Sequence, residues 1–320
     1  MSDIKVSVTV LSYKHAKYIR RCLDSILNQK VNFKYEIVVG EDCSEDGTKE
    51  ILLEYKEKYP DIFVLLLNEQ NMGVSRNAYN VQQHCRGQYV TGCESDDFWV
   101  DENKMQMQVD FLDTHPEYSA VATNTVNVDH EGNNPEPCLM KWQVNKTYTL
   151  KHFLRYGMVI HGNSLMSRRR TQQDPERYRA LIFAEPTMTD VIFRVSLYDA
   201  GKMYVLPILG HAHRDGANDK TSYTAAQKER SVEISKMYFR IVDNITAYYN
   251  GKYNLEALKA NRLGSVLRMR LLNRNRMNMA EFWELWRTLP WKYRLLSLER
   301  CIQKLSRDIL RKIGRVMRLS

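Results

Sequence analysis

Hydrophobic and polar positions alternate along the first 130 residues in a pattern typical of strands followed by helices. Short apolar runs rich in β-branched residues predict strands, and apolar residues three or four apart predict helices between them. Strands are predicted at residues 6–11, 35–39, 62–67, 89–93 and 119–126. The helices after the first four strands are predicted to end near Asn28, before Pro60, near Cys85 and against Pro116.

This alternation indicates βαβ units and an α/β fold, with a mostly parallel central sheet flanked by helices. Three polar stretches follow predicted strand ends, at residues 12–15, 41–46 and 94–97. Ligands of such sheets bind beyond the carboxyl ends of the strands. The three stretches are therefore expected to meet at one edge of the sheet and form a site.

The most distinctive of these stretches carries three carboxylates, Glu94, Asp96 and Asp97. Acids crowded at a strand end repel one another and are costly to desolvate. A divalent cation would offset that cost, and hard oxygen donors favour Mg²⁺ or Mn²⁺. An acidic turn that caps the following helix is the alternative, and the stretch alone does not decide between them.

The last hundred residues differ from the rest in pattern and in charge. Residues 221–320 contain 21 Lys and Arg against 8 Asp and Glu, a net charge of +13, while the whole chain of 320 residues has +9. The pattern there predicts helices only. We therefore expect a catalytic α/β domain at 1–220 and a helical C-terminal extension at 221–320.

The final segment is predicted to be a basic amphipathic helix. Its apolar residues form one stripe: Leu298, Ile302, Leu305, Ile309, Ile313 and Val316. Basic residues occupy much of the remainder: Arg300, Lys304, Arg307, Arg311, Lys312, Arg315 and Arg318. Such a helix suits the surface of an anionic membrane. Packing on the body of the protein or on a second subunit, as in a homo-oligomer, would explain the stripe equally well.

Composition restricts the location of the chain. No apolar run reaches the roughly 18–20 residues that a membrane-spanning helix needs, and residues 1–5 lack an apolar signal region. The six cysteines are far apart, without a Cys-x-x-Cys pair, which fits a reducing compartment. We expect a cytoplasmic protein that is peripheral on the membrane if the tail binds lipid.

Five blocks of residues, in this order, resemble family 2 glycosyltransferases. They are VSVTVLSY at 6–13, CLDSIL at 22–27, EIVVGEDCSEDGT at 36–48, NMGVSRN at 71–77 and GQYVTGCESDDFW at 87–99. The resemblance covers roughly residues 4–215. It implies the GT-A fold, a nucleotide-sugar donor, a Mn²⁺ or Mg²⁺ cofactor and sugar transfer with inversion at the anomeric carbon.

The resemblance also implies roles for the donor-binding residues. Asp42 would hydrogen-bond the nucleotide base, Ser12 and Tyr13 would line the same pocket, and Arg76 would lie near the nucleotide. Glu94 and Asp96 stand where the family has its Asp-x-Asp motif. Glu94 would face the ribose, Asp97 would contact the nucleotide sugar, and Asp96 would hold the metal. The chain departs from the family in having glutamate at the first position of that motif, as it does at Glu41.

Other implied roles fall later in the chain. Asp190 matches the catalytic base best, with Glu185 as a fallback and as an acceptor contact; Asp190 is otherwise an acid favoured at a helix N-terminus. His213 is expected at the metal and Arg214 at the donor phosphates, although the match is looser there. Trp99 is expected to form a wall of the acceptor site, with packing in the core as the alternative.

Together these features predict a metal-dependent glycosyltransferase that acts on a glycan or lipid-linked acceptor in surface polysaccharide synthesis, with a UDP-sugar as the expected donor. A nucleotidyltransferase is an alternative, but residues 11–15 lack the glycines of a phosphate loop. A nucleic-acid-binding protein that uses the basic tail is another. We expect no nucleic acid partner, because the tail shows no aromatic-basic recognition motif.

Overall fold

The computed structural model describes residues 3–157, 160–170, 174–185, 189–214, 230–272, 275 and 277–319. The chain forms two compact units. The first comprises Met1–Lys151 and Met158–Asp215, and the second comprises His152–Gly157 and Gly216–Ser320. The domain boundary that the sequence predicted near residue 220 lies outside the described residues.

A ten-stranded sheet forms the centre of the first unit. Its strands are β1 (Val6–Ser12), β2 (Tyr35–Glu41), β3 (Phe63–Leu67), β4 (Tyr89–Gly92), β5 (Phe98–Trp99), β6 (Tyr118–Val128), β7 (Glu136–Pro137), β8 (Lys146–Tyr148), β9 (Leu165–Arg168) and β10 (Lys202–Arg214). Their order in the sheet is β3-β2-β1-β4-β9-β6-β10-β5, with β7 paired to β6 and β8 paired to β10.

The predicted fold class is confirmed, and the sheet has two different halves. Strands β3, β2, β1 and β4 are all parallel, as the alternation of strands and helices predicts. In the other half, β9 pairs antiparallel with both β4 and β6, and β5 pairs antiparallel with β10. Strands β9 and β5 were not predicted from the sequence, because β5 has only two residues and only the first two of the four residues of β9 are apolar.

Seven α-helices of the described chain precede β10: α1 (Ile19–Leu27), α2 (Thr48–Lys58), α3 (Val74–Gln83), α4 (Lys104–Thr114), α5 (Leu150–Tyr156), α6 (Pro175–Phe183) and α7 (Thr189–Ala200). The main core lies between the parallel strands and their helices, and Val8, Leu23, Ile37 and Met105 are fully buried in it. Gly40 allows α3 to approach β2, since a Cβ atom there would lie 2.2 Å from the Asn77 side chain.

The second unit is helical over its described residues. Besides residues 152–156 of α5, its helices are α8 (Ser231–Tyr248), α9 (Glu256–Leu271), α10 (Met279–Thr288) and α11 (Trp291–Leu319). They share a core of their own around Phe239, Leu263, Val266 and Phe282. Among the described residues, no helix combines the length and the apolar character that crossing a lipid bilayer requires.

Candidate functional site

The sheet topology brings the polar stretches of the first unit to one edge. Ser12, the last residue of β1, pairs in register with Glu41, the last residue of β2. The acidic loop at 93–97 follows directly after β4, which is the other neighbour of β1. Beyond this loop, β5 pairs with β10 so that His211 lies opposite Trp99. The end of β10 therefore lies over the acidic loop.

Three carboxylates of the acidic loop crowd together as the sequence predicted. Oxygens of Glu94, Asp96 and Asp97 all lie within 4.8 Å of one another. Burial among protein atoms and the charges of Asp97, Asp96 and Asp190 together raise the pKa of the Glu94 carboxyl group to about 8. The Glu94 side chain is exposed to solvent, and contact with water weakens the effect of burial on its pKa. Burial and the charge of Asp97 also raise the pKa of Asp96.

Asp97 behaves differently, because the end of β10 binds it. Its side chain is fully buried; Oδ1 accepts a 2.8 Å hydrogen bond from the Arg214 backbone N–H, and Oδ2 lies 3.3 Å from His213 Nδ1. Oδ2 is also 3.1 Å from His211 Nε2, at an angle that makes no hydrogen bond. Although burial opposes it, contacts with the two histidines hold the pKa of Asp97 well below its usual range.

The pKa of His213 is shifted in the opposite direction from those of His161 and His211. Despite desolvation, Asp97 and the charges of Glu94 and Asp96 raise the pKa of His213 to about 9. Burial lowers the pKa of His161 to about 3 and also lowers that of His211. The ring of His161 stacks on that of His211 at 4.9 Å and 22°, so their in-plane lone pairs do not converge. We interpret this pair as packing beneath the site, although Asp97, His161 and His211 also bring ligand atoms within 4.8 Å.

Arg214 is part of the framework of the site. Its side chain is buried; Nε donates to the Asp96 carbonyl oxygen at 2.7 Å, and Nη1 donates to the His130 carbonyl oxygen at 2.7 Å. The guanidinium also lies 4.6 Å from the centre of the Tyr18 ring. With these partners, Arg214 holds the acidic loop in place, and the phosphate contact expected from the sequence stays a prediction.

His15 lies at this site, although the sequence indicated no role for it beyond its place in the polar stretch at 12–15. Its Nδ1 lies 2.6 Å from the hydroxyl oxygen of Ser95, which is fully buried inside the acidic loop. Its Nε2 lies 4.0 Å from Asp96 Oδ2. The polar stretch at 12–15 was a signal for this region, but only the structure pairs His15 with Ser95.

The donor-binding residues expected from the sequence surround a turn after β2. Asp42 is buried, and its carboxylate accepts hydrogen bonds from the backbone N–H groups of Met72 and Gly73 at 2.8 and 2.9 Å and from Asn68 at 2.9 Å. Tyr13 is 40% exposed, and the buried Ser12 hydroxyl has no hydrogen-bond partner among the described residues. The structure thus gives Asp42 a role in holding the turn ahead of α3, in addition to any contact with a ligand.

The structure places the remaining expected residues around α3 and α7. Arg76 is exposed on the first turn of α3, with its guanidinium 5.4 Å from the Phe183 ring centre. Glu185 is buried, and its carbonyl oxygen accepts a 3.4 Å hydrogen bond from the Ser75 hydroxyl. Asp190 is exposed in the first turn of α7. The charge of Asp190 contributes to the raised pKa of Glu94, so the two carboxylates are within electrostatic reach.

Trp99 does not fit the wall of an acceptor site. The residue is only 4% exposed and belongs to the main core. The ammonium group of the fully buried Lys104 lies 4.0 Å from its ring centre. Strand β5 turns this ring inward, which is the packing alternative that the sequence left open, and we leave Trp99 out of the proposed acceptor site.

A divalent cation fits the oxygen-rich cluster. Two of its three carboxylates have raised pKa values because their charges repel and are partly desolvated, and a cation would relieve both effects. His213 can add a nitrogen donor: with Nδ1 against Asp97, Nε2 would bind a cation after losing the proton that the raised pKa of His213 keeps on the ring. Histidines that bind metals usually place their other nitrogen on a carboxylate in this way.

Comparison with known proteins agrees with this geometry. Residues 7–172 match the family model described as glycosyl transferase family 2. The chain belongs to glycosyltransferase family 2. The matched region contains the acidic loop, His15, Asp42 and Arg76, whereas Asp190 and the end of β10 lie beyond it.

Relatives of this family 2 chain match about two fifths of its length. The uncharacterized protein Rv1520 of Mycobacterium tuberculosis is 38% identical over 126 residues, which cover 39% of this chain and 36% of the relative. The chondroitin synthase of Escherichia coli is 31% identical over 128 residues, covering 40% of this chain and 18% of the relative. The aligned region thus spans about a third of the length of the first relative and less of the second.

A solved structure extends the similarity in fold to most of the chain. S. aureus TarS 1–349 in complex with UDP-GlcNAc has a TM-score of 0.62 and 18% sequence identity. The match covers 94% of this chain and 89% of that one. At this identity the comparison establishes the fold alone.

Proposed function

We propose that the chain is a metal-dependent, inverting glycosyltransferase. It moves a sugar from a nucleotide-diphosphate donor to a hydroxyl group of a glycan or lipid-linked acceptor. The observation that carries this proposal is the crowding of Glu94, Asp96 and Asp97 beneath His213, at the edge of the sheet where the nucleotide-binding strands end. Membership of family 2 supports the reaction class.

The donor is proposed to be a UDP-sugar, bound across the ends of β1 and β2. TarS, which shares the fold, has been solved with UDP-GlcNAc. Asp42 offers a carboxylate to an N–H group of the base, Ser12 and Tyr13 line the pocket, and Arg76 offers a guanidinium to phosphate or ribose oxygens. Glu94 faces the ribose from the other side.

The metal site is proposed to consist of Asp96 and His213. A bound Mn²⁺ or Mg²⁺ would neutralise the charge that develops on the departing diphosphate. Asp97 holds His213 through Nδ1, and Arg214 holds Asp97 through its backbone N–H. His15, fixed by the buried Ser95 hydroxyl, directs Nε2 toward Asp96 and orients that carboxylate.

The catalytic base is proposed to be Asp190. As the acceptor oxygen forms its bond to the anomeric carbon, the bond from that carbon to the diphosphate oxygen breaks, and the acceptor proton passes to the Asp190 carboxylate. An exposed acid in the first turn of α7 can meet an acceptor that arrives from solvent. Glu185 is proposed to contact the acceptor.

Surface polysaccharide synthesis at the cytoplasmic face of the membrane is the proposed setting. One relative, a chondroitin synthase, makes a polysaccharide, and the last hundred residues carry a net charge of +13, which suits an anionic surface. An acceptor linked to lipid would then lie at the membrane surface.

A donor screen tests the reaction. Purified protein with Mn²⁺ or Mg²⁺ is given a panel of nucleotide sugars, and released nucleoside diphosphate and pyrophosphate are measured beside Asp96→Asn and Asp190→Asn. Metal-dependent release of a nucleoside diphosphate from one donor, lost in the Asp96 variant, supports the proposal. Release or consumption of pyrophosphate would favour a nucleotidyltransferase instead. Salt-sensitive binding of DNA or RNA without action on any nucleotide sugar would favour the nucleic-acid-binding alternative.

A further inference from the structure

Helix α11 packs on α9 through its polar and small side chains. Ser297 and Cys301 are buried at this contact. Gly264 of α9 permits the close approach, because a Cβ atom there would lie 2.6 Å from the Ser297 carbonyl oxygen and 2.8 Å from Arg300 Cβ. The contact therefore requires glycine on one helix and uses the polar side of the other.

Specific polar contacts fix this orientation of α11. Arg268 of α9 forms a salt bridge of 2.7 Å with Asp308. The Lys304 ammonium group donates to the hydroxyl of Ser265, also on α9. These contacts lie a turn apart along the same side of α11 as Cys301. Rotating α11 to bury its apolar stripe against α9 would break them.

Four large apolar residues of α11 consequently face outward. Trp291, Leu295, Ile302 and Ile309 are 72, 59, 66 and 58% exposed. Their spacings of four, seven and seven residues place them on one side of the helix, over a length of roughly 27 Å at 1.5 Å per residue. Large apolar side chains exposed in a continuous row mark an interaction surface.

The charge of α11 indicates what this surface meets. The helix has nine Lys and Arg against two Asp and Glu. Both acids have an arginine beside them: Glu299 lies 3.5 Å from Arg300, and Asp308 pairs with Arg268. An apolar row on a helix with excess positive charge complements a layer of anionic headgroups above acyl chains. A second copy of the helix would carry the same positive charge and would be repelled.

We propose that the outer face of α11, defined by Trp291, Leu295, Ile302 and Ile309, docks on an anionic lipid surface. This inference extends the membrane setting of the proposed function, and it names the side of the helix that contacts lipid. The apolar side chains insert among the acyl chains, while α9 holds the opposite side of the helix away from the membrane.

Vesicle sedimentation with the full chain tests this proposal. Vesicles of phosphatidylcholine alone are compared with vesicles that also contain phosphatidylglycerol, and no nucleotide sugar is present. The wild type is expected to sediment with the anionic vesicles, less so at high salt. Replacing Leu295, Ile302 and Ile309 together by serine is expected to lower the bound fraction at least tenfold. Since these side chains are exposed, the variant should keep its helical circular dichroism.

Two further variants make the test decisive. A matched control replaces three exposed apolar residues of the first unit by serine (Leu53, Leu67 and Met107) and should bind vesicles as the wild type does. The single change Ile302→Glu, which puts a negative charge in the row, should weaken binding on its own. Equal binding by all variants, or no vesicle binding by the wild type, would overturn the proposal.

Self-association is the other outcome to distinguish. If light scattering shows that the wild type forms a dimer that the triple serine variant does not, and neither protein binds vesicles, the row is a contact between copies and the proposal fails. Because the experiment uses no donor, its result is independent of catalysis. Failure of the donor screen with intact vesicle binding would reject the transferase proposal alone.

Discussion

The two compact units place polar and apolar residues in opposite ways. In the first unit, apolar side chains are buried in a core around the sheet, and polar groups such as Asp96 and His213 gather at one edge. In the second, α11 buries its polar side against α9 and leaves Leu295 and Ile302 exposed. A site for small charged ligands needs fixed polar groups, whereas a surface for lipid needs exposed apolar groups. Which side of a helix is buried therefore depends on its specific contacts as well as on its hydrophobic pattern.

The strongest test of the first unit concerns Asp190. Asp190→Asn should lower kcat about 10²- to 10⁴-fold, because the amide cannot take the acceptor proton. Binding of the donor, measured by calorimetry, should stay within about twofold, since Asp190 is proposed to act on the acceptor. An unchanged kcat would remove Asp190 from the mechanism. Glu185→Gln is the comparison variant for the fallback assignment.

A second test concerns Lys104, whose amino group is fully buried against the Trp99 ring. Burial lowers its pKa from 10.5 to about 7, so between these values the unfolded chain holds a proton that the folded chain has lost. The free energy of unfolding should therefore rise with pH over this range, by up to about 5 kcal/mol from this group. Lys104→Met should remove this contribution, which urea titrations at pH 7, 8.5 and 10 can measure. An identical pH slope in both proteins would contradict this assignment.

The orientation of Asp96 by His15 predicts a smaller effect. His15→Ala should weaken Mn²⁺-dependent binding of UDP about 10- to 100-fold, as expected when a group that orients a metal ligand is removed. Ser95→Ala should act in the same direction, because His15 then loses its 2.6 Å contact. Binding of UDP without metal should not change. His115→Ala, a histidine of α4's C-terminal end, is the matched control.

The smallest effect is expected from a change at the contact between α9 and α11, which leaves the apolar row of α11 exposed. Gly264→Ala introduces a methyl group 2.6 Å from a backbone oxygen of α11, and overpacking of this kind costs about 1–3 kcal/mol. The melting temperature should fall, while donor binding by the first unit should persist. A melting temperature equal to that of the wild type would show that α11 can shift without penalty.

Sequence predicted the parallel half of the sheet well, because each of its strands has four or more residues followed by a helix. Strands β1 to β4 lie within two residues of the predicted bounds. The clustering of Glu94, Asp96 and Asp97 was also predictable, since strand ends meet at one edge of such a sheet. The short strands β5 and β9 left no periodic signal.

Other features depend on contacts that a single sequence does not show. His15 and Ser95 are 80 residues apart, so their hydrogen bond follows only from the fold. Arg214 was expected at the donor phosphates. In the structure its side chain donates hydrogen bonds to the carbonyl oxygens of Asp96 and His130, which the sequence did not reveal. The hydrophobic period of α11 revealed a stripe, while Gly264 and the Arg268–Asp308 pair decide which side is buried.

The central claim is that the acidic loop binds a nucleoside diphosphate through a divalent cation. Calorimetric titration of UDP into the wild type and into Asp96→Asn, each with and without Mn²⁺, tests it most directly. The wild type should bind UDP at least tenfold more tightly with Mn²⁺, and the variant should show no such gain. Equal affinities with and without Mn²⁺ in the wild type, or the same gain in Asp96→Asn, would contradict the account.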